Sequence, residues 1–192
     1  MQHAVNTALV VTLWVWAAAE VLLQVRQRTR SERTERTERL SLLLFVVLIG
    51  GGIALAAPIR HTVPALSYST QSPAVRSAVL AVAWAGTALR LWAIVTLGRF
   101  FRGTVHIQHG HRVVASGPYR YVRHPAYTGF LLAAADLALL LDNAASWLVL
   151  TVCCLLAVGY RIHVEERMLL DALGEEYQAY AARTRRLVPG VW

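Results

Sequence analysis

The 192-residue sequence predicts an all-α integral membrane protein, a single membrane domain over residues 1–192 with five transmembrane helices. Three observations carry that prediction. Apolar residues make up 56% of the chain and the mean hydropathy is +0.45, too oily for a soluble domain of this size. Five stretches approach the roughly 20 apolar residues that a helical crossing needs. All 19 basic residues are Arg, and they cluster between those stretches, so the net charge of +8 lies in loops rather than along a soluble helix face. A nucleic-acid binder would spread its charge over a soluble surface, and that class is excluded. The adjacent Cys153 and Cys154 have neither the geometry of a bridge nor the spacing of a metal or redox motif.

The first span, about residues 4–23, contains Ala17-Ala18-Ala19, which resembles a small-residue cleavage site. Residues 1–3 hold no Lys or Arg, so the stretch is read as a helix. An Arg-Thr-Glu repeat over residues 30–39 follows, with opposite charges three and four residues apart, as in a solvated helical extension that attracts anionic lipid. The second span, about 40–57, is uncharged, and its Gly50-Gly51-Gly52 run lets a neighbouring helix approach closely. The third, about 77–97, holds Arg90; the fourth, about 125–141, holds Asp136, which is expected to face the bundle interior. The fifth covers about 143–160, and the two-residue connection Asp142-Asn143 makes the fourth and fifth an antiparallel hairpin. Sixteen of the 19 Arg fall in residues 24–39, 98–124 and 161–192, all on one side of the membrane by parity. Arg-rich loops stay cytoplasmic, which puts the N-terminus outside and the C-terminus in the cytoplasm. Oligomeric state leaves no mark on the sequence.

Chemistry-bearing residues concentrate in the two segments that this hairpin brings together. The first reads GPYRYVRHPAYTG, residues 117–129. Gly117-Pro118 marks a turn, and Pro125 suits the first position of a helix because its missing N–H would be unpaired there anyway. His124 then stands at the helix entrance, where unpaired N–H groups and the positive dipole end suit a carboxylate, with Tyr119, Arg120 and Arg123 nearby. The second segment, residues 161–192, begins with an amphipathic helix and carries another near residues 175–184. Arg161 and Glu165 share a face at i and i+4. Glu165 and Glu166 are suited either to accept bonds from ribose hydroxyls or an ammonium group, or to neutralise Arg161 and Arg123. Arg90 is costly inside a span and cannot shed its charge, which marks it as functional; its alternatives are snorkelling or pairing with Asp136 or a backbone carbonyl. His106, His109 and His111 crowd one loop without a carboxylate or Cys at ligand spacing, so no metal is assigned.

Over roughly residues 85–192 the chain resembles the isoprenylcysteine carboxyl methyltransferases and their prokaryotic relatives, within the wider group that includes phospholipid N-methyltransferases. The resemblance rests on LRLWAIVTLG (89–98), VVASGPYRYVRHPAYTG (113–129) and the whole of 161–192, where an RHPxYxG element is followed by EExxL and GEEYxxY. It implies S-adenosylmethionine held on the cytoplasmic side by Val114, Gly117, Pro118, Tyr119, Arg123, His124, Tyr127, Glu165 and Glu166. It also implies Arg90, Arg161 and Glu165 as the catalytic set, a lipophilic acceptor arriving from among the membrane lipids, and a bacterial or archaeal plasma membrane. A carboxylate acceptor held by Arg90 and Arg161 is already ionised and needs no base. An amine would need Glu165, Glu166 or His124 to take a proton. The competing expectations are a phospholipid, amine or thiol methyltransferase, an NADPH-dependent reductase of the sterol type, and a non-catalytic membrane subunit.

Overall fold

The computed structural model describes residues 36–98, 113–190 and Trp192, together with the isolated positions Thr7 and Val11. The remainder of the first span, most of the Arg-Thr-Glu repeat and the His106–His109–His111 loop lie outside the described residues. Five α-helices are described: α1 (Arg36–Thr62), α2 (Pro73–Leu97), α3 (Pro125–Ala138), α4 (Ala144–Leu173) and α5 (Glu175–Arg183). No strand occurs among the described residues; the extended pairings are the isolated bridges Ser67 to Asn143 and Val122 to Arg185. Three stretches, Leu40–Thr62, Pro73–Leu97 and Ala144–Leu173, are long and apolar enough to cross a membrane, and Pro125–Leu141 is a shorter apolar helix. Large apolar side chains point outward along them, Val95 at 77% exposure among others, as suits a surface facing lipid.

Local chemistry sets where each helix stops. Pro58 lies inside α1, whose last turn ends at Thr62 with Thr62 Oγ1 donating to Ile59 O at 3.1 Å. Pro73 begins α2 at a position that needs no N–H, and Gly98, at φ +54°, ends it. The fourth span is α-helical for 14 residues and tightens into a 3₁₀ turn over Leu139–Leu141. Asp142 then takes a left-handed conformation, and Asn143 caps α4 by accepting from Ser146 N at 3.1 Å. This reversal is clasped by the loop between α1 and α2. Thr70 donates to Asp142 Oδ1 through both N (2.8 Å) and Oγ1 (2.6 Å), and Asn143 Nδ2 donates to Val63 O at 2.9 Å.

Helices α3 and α4 form the centre, with α2 packed on α3 and α1 on α4. At 30 residues α4 is about 45 Å long against a hydrocarbon core of about 30 Å, so it runs on past the bilayer. Its polar continuation from Arg161 is one helix with the fifth span, where the sequence suggested only that a helix begins. Of the Gly50-Gly51-Gly52 run, Gly52 makes the close approach: a Cβ there would stand 2.9 Å from Cys153 Cβ on α4, whereas Gly50 and Gly51 meet nothing within 4 Å. Gly52→Val is therefore expected to lower the thermal unfolding midpoint in detergent, consistent with an overpacking cost of about 1–3 kcal/mol, while Gly50→Val leaves it within error; matched melting curves check both.

Candidate active site

Glu166, on the part of α4 beyond the bilayer, joins three segments. Its Oε1 accepts from Arg123 Nε at 2.9 Å and lies 3.3 Å from His124 Nε2; its Oε2 accepts from Arg186 Nη2 at 2.8 Å and Nε at 2.9 Å. Burial opposes ionisation of this carboxyl. The bonds from His124, Arg186 and Arg123 outweigh it and hold the group well below the usual carboxylate range. The backbone repeats the tie: Arg123 N donates to Arg185 O at 2.7 Å and His124 N to Arg186 O at 3.0 Å. Arg123 Nη1 also reaches the carbonyls of Ala181 and Thr184, and Thr128 Oγ1 donates to Leu187 O at 2.8 Å. Leu187 itself is buried with Phe130, Val158 and Ile162, which seats the chain's last turn in the core.

A second cluster lies beside this clamp. Arg161 Nε donates to Tyr127 Oη at 2.8 Å, and that hydroxyl donates onward to Glu165 Oε2 at 3.0 Å. Tyr119 is buried against Ala93, Ala126 and Val114. Burial raises its phenol above the ordinary value, Glu165 adds to the rise, and Arg90 works against it, so all three share one electrostatic neighbourhood. Tyr180 Oη donates to Tyr119 O at 2.6 Å; burial pushes its own phenol up to about 12. The turn that presents Tyr119 depends on Gly117, at φ +56°, where a Cβ would stand 2.9 Å from Thr96 Oγ1 of α2. Pro118 is buried in the same turn, and Val113 N donates to Glu176 Oε1 at 3.2 Å, tying this strand of chain to α5.

Arg90 lies two turns before the end of α2. Its Nη1 donates to Ala126 O at 3.0 Å and its guanidinium stands 5.5 Å from the Phe130 ring centroid. A backbone carbonyl, one of the partners considered from sequence, is thus among those Arg90 takes. Asp136 lies nearly three turns further along α3, its Oδ2 buried with no hydrogen-bond partner among the described residues.

The structure thus gathers Arg90, Val114, Gly117, Pro118, Tyr119, Arg123, His124, Tyr127, Arg161, Glu165 and Glu166 at one end of the bundle. The sequence reading missed Arg186, Tyr180 and Thr184, which complete the clamp. An Arg 20 residues from a Glu carries no periodic signal, and only the return of the chain beside Val122 brings it there. Both oxygens of Glu166 are engaged by cations, whereas Glu165 bonds only Tyr127 among the described residues, through one oxygen. Among the described residues no three His, Cys, Asp or Glu gather as a metal would require.

Residues 79–171 match the model of the isoprenylcysteine carboxyl methyltransferase family. A probable protein-S-isoprenylcysteine O-methyltransferase of Oryza sativa subsp. indica is 34% identical over 106 residues, 54% of this chain and 56% of that protein. A methanethiol S-methyltransferase of a Pseudomonas species is 28% identical over 131 residues, 64% of this chain and 49% of that protein. The eukaryotic intramembrane Ras methyltransferase ICMT superposes with a TM-score of 0.62 at 26% identity, covering 76% of this chain and 52% of that one. The chain spans about half the length of the curated relatives it matches.

Because Glu166 is ionised below its ordinary range in the folded state, its stabilising contribution is fully present above the unfolded value of about 4.3 and is lost as pH falls further. The thermal midpoint should be flat in this respect from about pH 8 to 5 and drop in acid. Glu166→Gln should flatten the acid arm and lower the neutral-pH midpoint, since breaking a buried ion pair costs about 3–5 kcal/mol. Melting curves across pH, with trypsin cleavage after Arg183, Arg185 and Arg186 as a local readout, check both.

Proposed function

Since residues 79–171 belong to the isoprenylcysteine carboxyl methyltransferase family, we propose that this integral membrane protein transfers a methyl group from S-adenosylmethionine to a lipophilic acceptor, a carboxylate of the isoprenylcysteine type. The observation that carries this reading is the hydrogen-bonded line Arg161, Tyr127, Glu165 beside buried Tyr119, held in place by the Glu166 clamp. The donor set suits the cofactor: Glu165 for an ammonium group or ribose hydroxyls, aromatic faces of Tyr119 and Tyr127 for a sulfonium, and backbone from Val114 to Pro118 for the base and sugar. Arg123, His124 and Glu166 brace that pocket. S-adenosylmethionine supplies the electrophilic methyl group.

Arg90, with Arg161, holds the acceptor carboxylate. A carboxylate is ionised at neutral pH, so the protein's task is to orient it in line and exclude water, and no side chain needs to remove a proton. The Arg distribution supports an orientation with this end of the bundle in the cytoplasm and the N-terminus outside; the membrane we propose is a prokaryotic plasma membrane, with the acceptor reaching the site from the bilayer. The methanethiol S-methyltransferase relative supports a second reading with a thiol acceptor. A thiol must first lose a proton, and Glu165 is the carboxylate placed to accept it.

Titration calorimetry on the protein in nanodiscs should show saturable S-adenosylmethionine binding, weakened by Glu165→Gln; no binding in any lipid refutes the reading. With an S-prenylated N-acetylcysteine as acceptor, a base-labile methyl ester should form. Arg90→Gln should lower kcat/KM about a hundredfold, as losing one partner of a desolvated charge pair does. The rate should be flat from about pH 6 to 8 for the carboxylate, whereas a thiol acceptor of pKa about 8.5 would make it climb through that range.

A further inference from the structure

We propose that Gly129, the last residue of the RHPxYxG segment, is the positioning residue that fixes Arg90 in the site and so gives the enzyme its preference for an anionic acceptor. The proposal rests on the reading of Arg90 as the acceptor's anchor. Helices α2 and α3 run antiparallel and touch through their backbones here. A Cβ on Gly129 would collide with Gly86 O and stand 2.7 Å from Arg90 N and 3.1 Å from Arg90 Cβ. A Cβ on Gly86 would stand 2.7 Å from Gly129 O and 2.9 Å from Ala133 N. All but Arg90 Cβ are backbone atoms, and a Cβ does not move with side-chain rotation, so no rotamer change relieves either clash; the helices must separate or slide.

Neither glycine is needed for its conformational freedom, since neither has a positive φ. A helical glycine costs about 0.8–1 kcal/mol relative to alanine, so close approach is what the position gains. That approach is what Arg90 requires. Arg90 follows Gly86 by one turn and Ala126 precedes Gly129 by one turn, so the bond from Arg90 Nη1 to Ala126 O at 3.0 Å sits next to the glycine contact. Around it the seam is lined by small residues, with Ala83, Ala93, Ala126 and Ala133 buried. The guanidinium is thereby pinned between the α3 backbone and the Phe130 ring. A separation of even about 1 Å, small beside the 8–10 Å between packed helix axes, releases the Ala126 bond and lets the long stem choose other rotamers.

The test uses the full chain in nanodiscs and a dansylated S-prenylcysteine, as free acid and as methyl ester, titrated by fluorescence without cofactor. The wild type is expected to bind the acid about tenfold tighter than the ester. Gly129→Ala should bring that ratio close to one while S-adenosylmethionine affinity stays within about twofold. Gly86→Ala should do the same and serves where Gly129→Ala does not fold. Two controls separate positioning from general loosening: Gly52→Ala, which strains the α1–α4 contact, and Gly159→Ala, where a Cβ meets nothing within 4 Å. Both should keep the wild-type ratio. If the wild type binds acid and ester equally, the anchoring role of Arg90 fails. If the wild type discriminates and both seam variants still do, or if Gly52→Ala loses discrimination equally, the positioning role of Gly129 is overturned.

Discussion

One carboxylate holds this end of the molecule together. Glu166 is buried, and a buried anion persists only where cations and hydrogen bonds replace the water it has lost. It has three such partners, drawn from the segment before α3 and from the returning tail, segments separated from it by 43, 42 and 20 residues. The dependence runs both ways. Arg123 is also committed to the carbonyls that end α5, so without Glu166 a buried guanidinium would face carbonyl oxygens with no countercharge. The clamp turns two chain segments with no regular secondary structure between them into one rigid wall.

That wall would be useless if α3 and α4 met in the wrong register, and the register is set at the far end. From Asn143 to Arg161 is 18 residues, five full turns, so the cap residue and Arg161 lie on the same side of α4 with about 27 Å of rise between them. From Asp142 back to Tyr127 the chain climbs about 24 Å, because three of its residues are in a 3₁₀ turn that rises about 2 Å each. The two distances nearly match, and the reach of the Arg161 side chain closes the difference to its 2.8 Å bond with Tyr127. The hydrogen bonds around Asp142 and Asn143 therefore act on the Arg161–Tyr127 pair from across the bundle by fixing how far each helix has risen when it arrives.

Much of this was legible in the sequence, for identifiable reasons. Apolar length gives the helices, the Asp142-Asn143 connection gives the reversal, and Pro125 gives the start of α3. From those alone the RHP segment and the Glu pair must approach one another. What periodicity cannot convey is which partner each charge takes. Residues 165 and 166 differ by 100° around α4, enough to send one carboxylate into the clamp and the other toward Tyr127, but nothing local says which. Arg186 reaches Glu166 only because residues 184–188 return alongside 122–128, a long-range pairing with no sequence period. The Gly50-Gly51-Gly52 run drew attention by its density and only Gly52 packs tightly, whereas Gly86 and Gly129, isolated in their helices, form the closer seam.

The division of labour between the two glutamates has a consequence for charge. Glu166 is more than balanced in the clamp by Arg123 and Arg186, and the neighbouring Arg90, Arg161 and Glu165 together carry a net of +1. Under the proposed function, an acceptor carboxylate would bring the charge of those three side chains to zero. If the proposed function holds, methyl transfer would convert the carboxylate into a neutral ester and remove the sulfonium charge in the same event. The two arginines would then face an ester oxygen instead of an anion, in surroundings where the loss of one charge is felt strongly. On the proposed reading, the reaction itself would therefore weaken the hold of the two arginines on the product, and the apolar ester would partition back toward lipid.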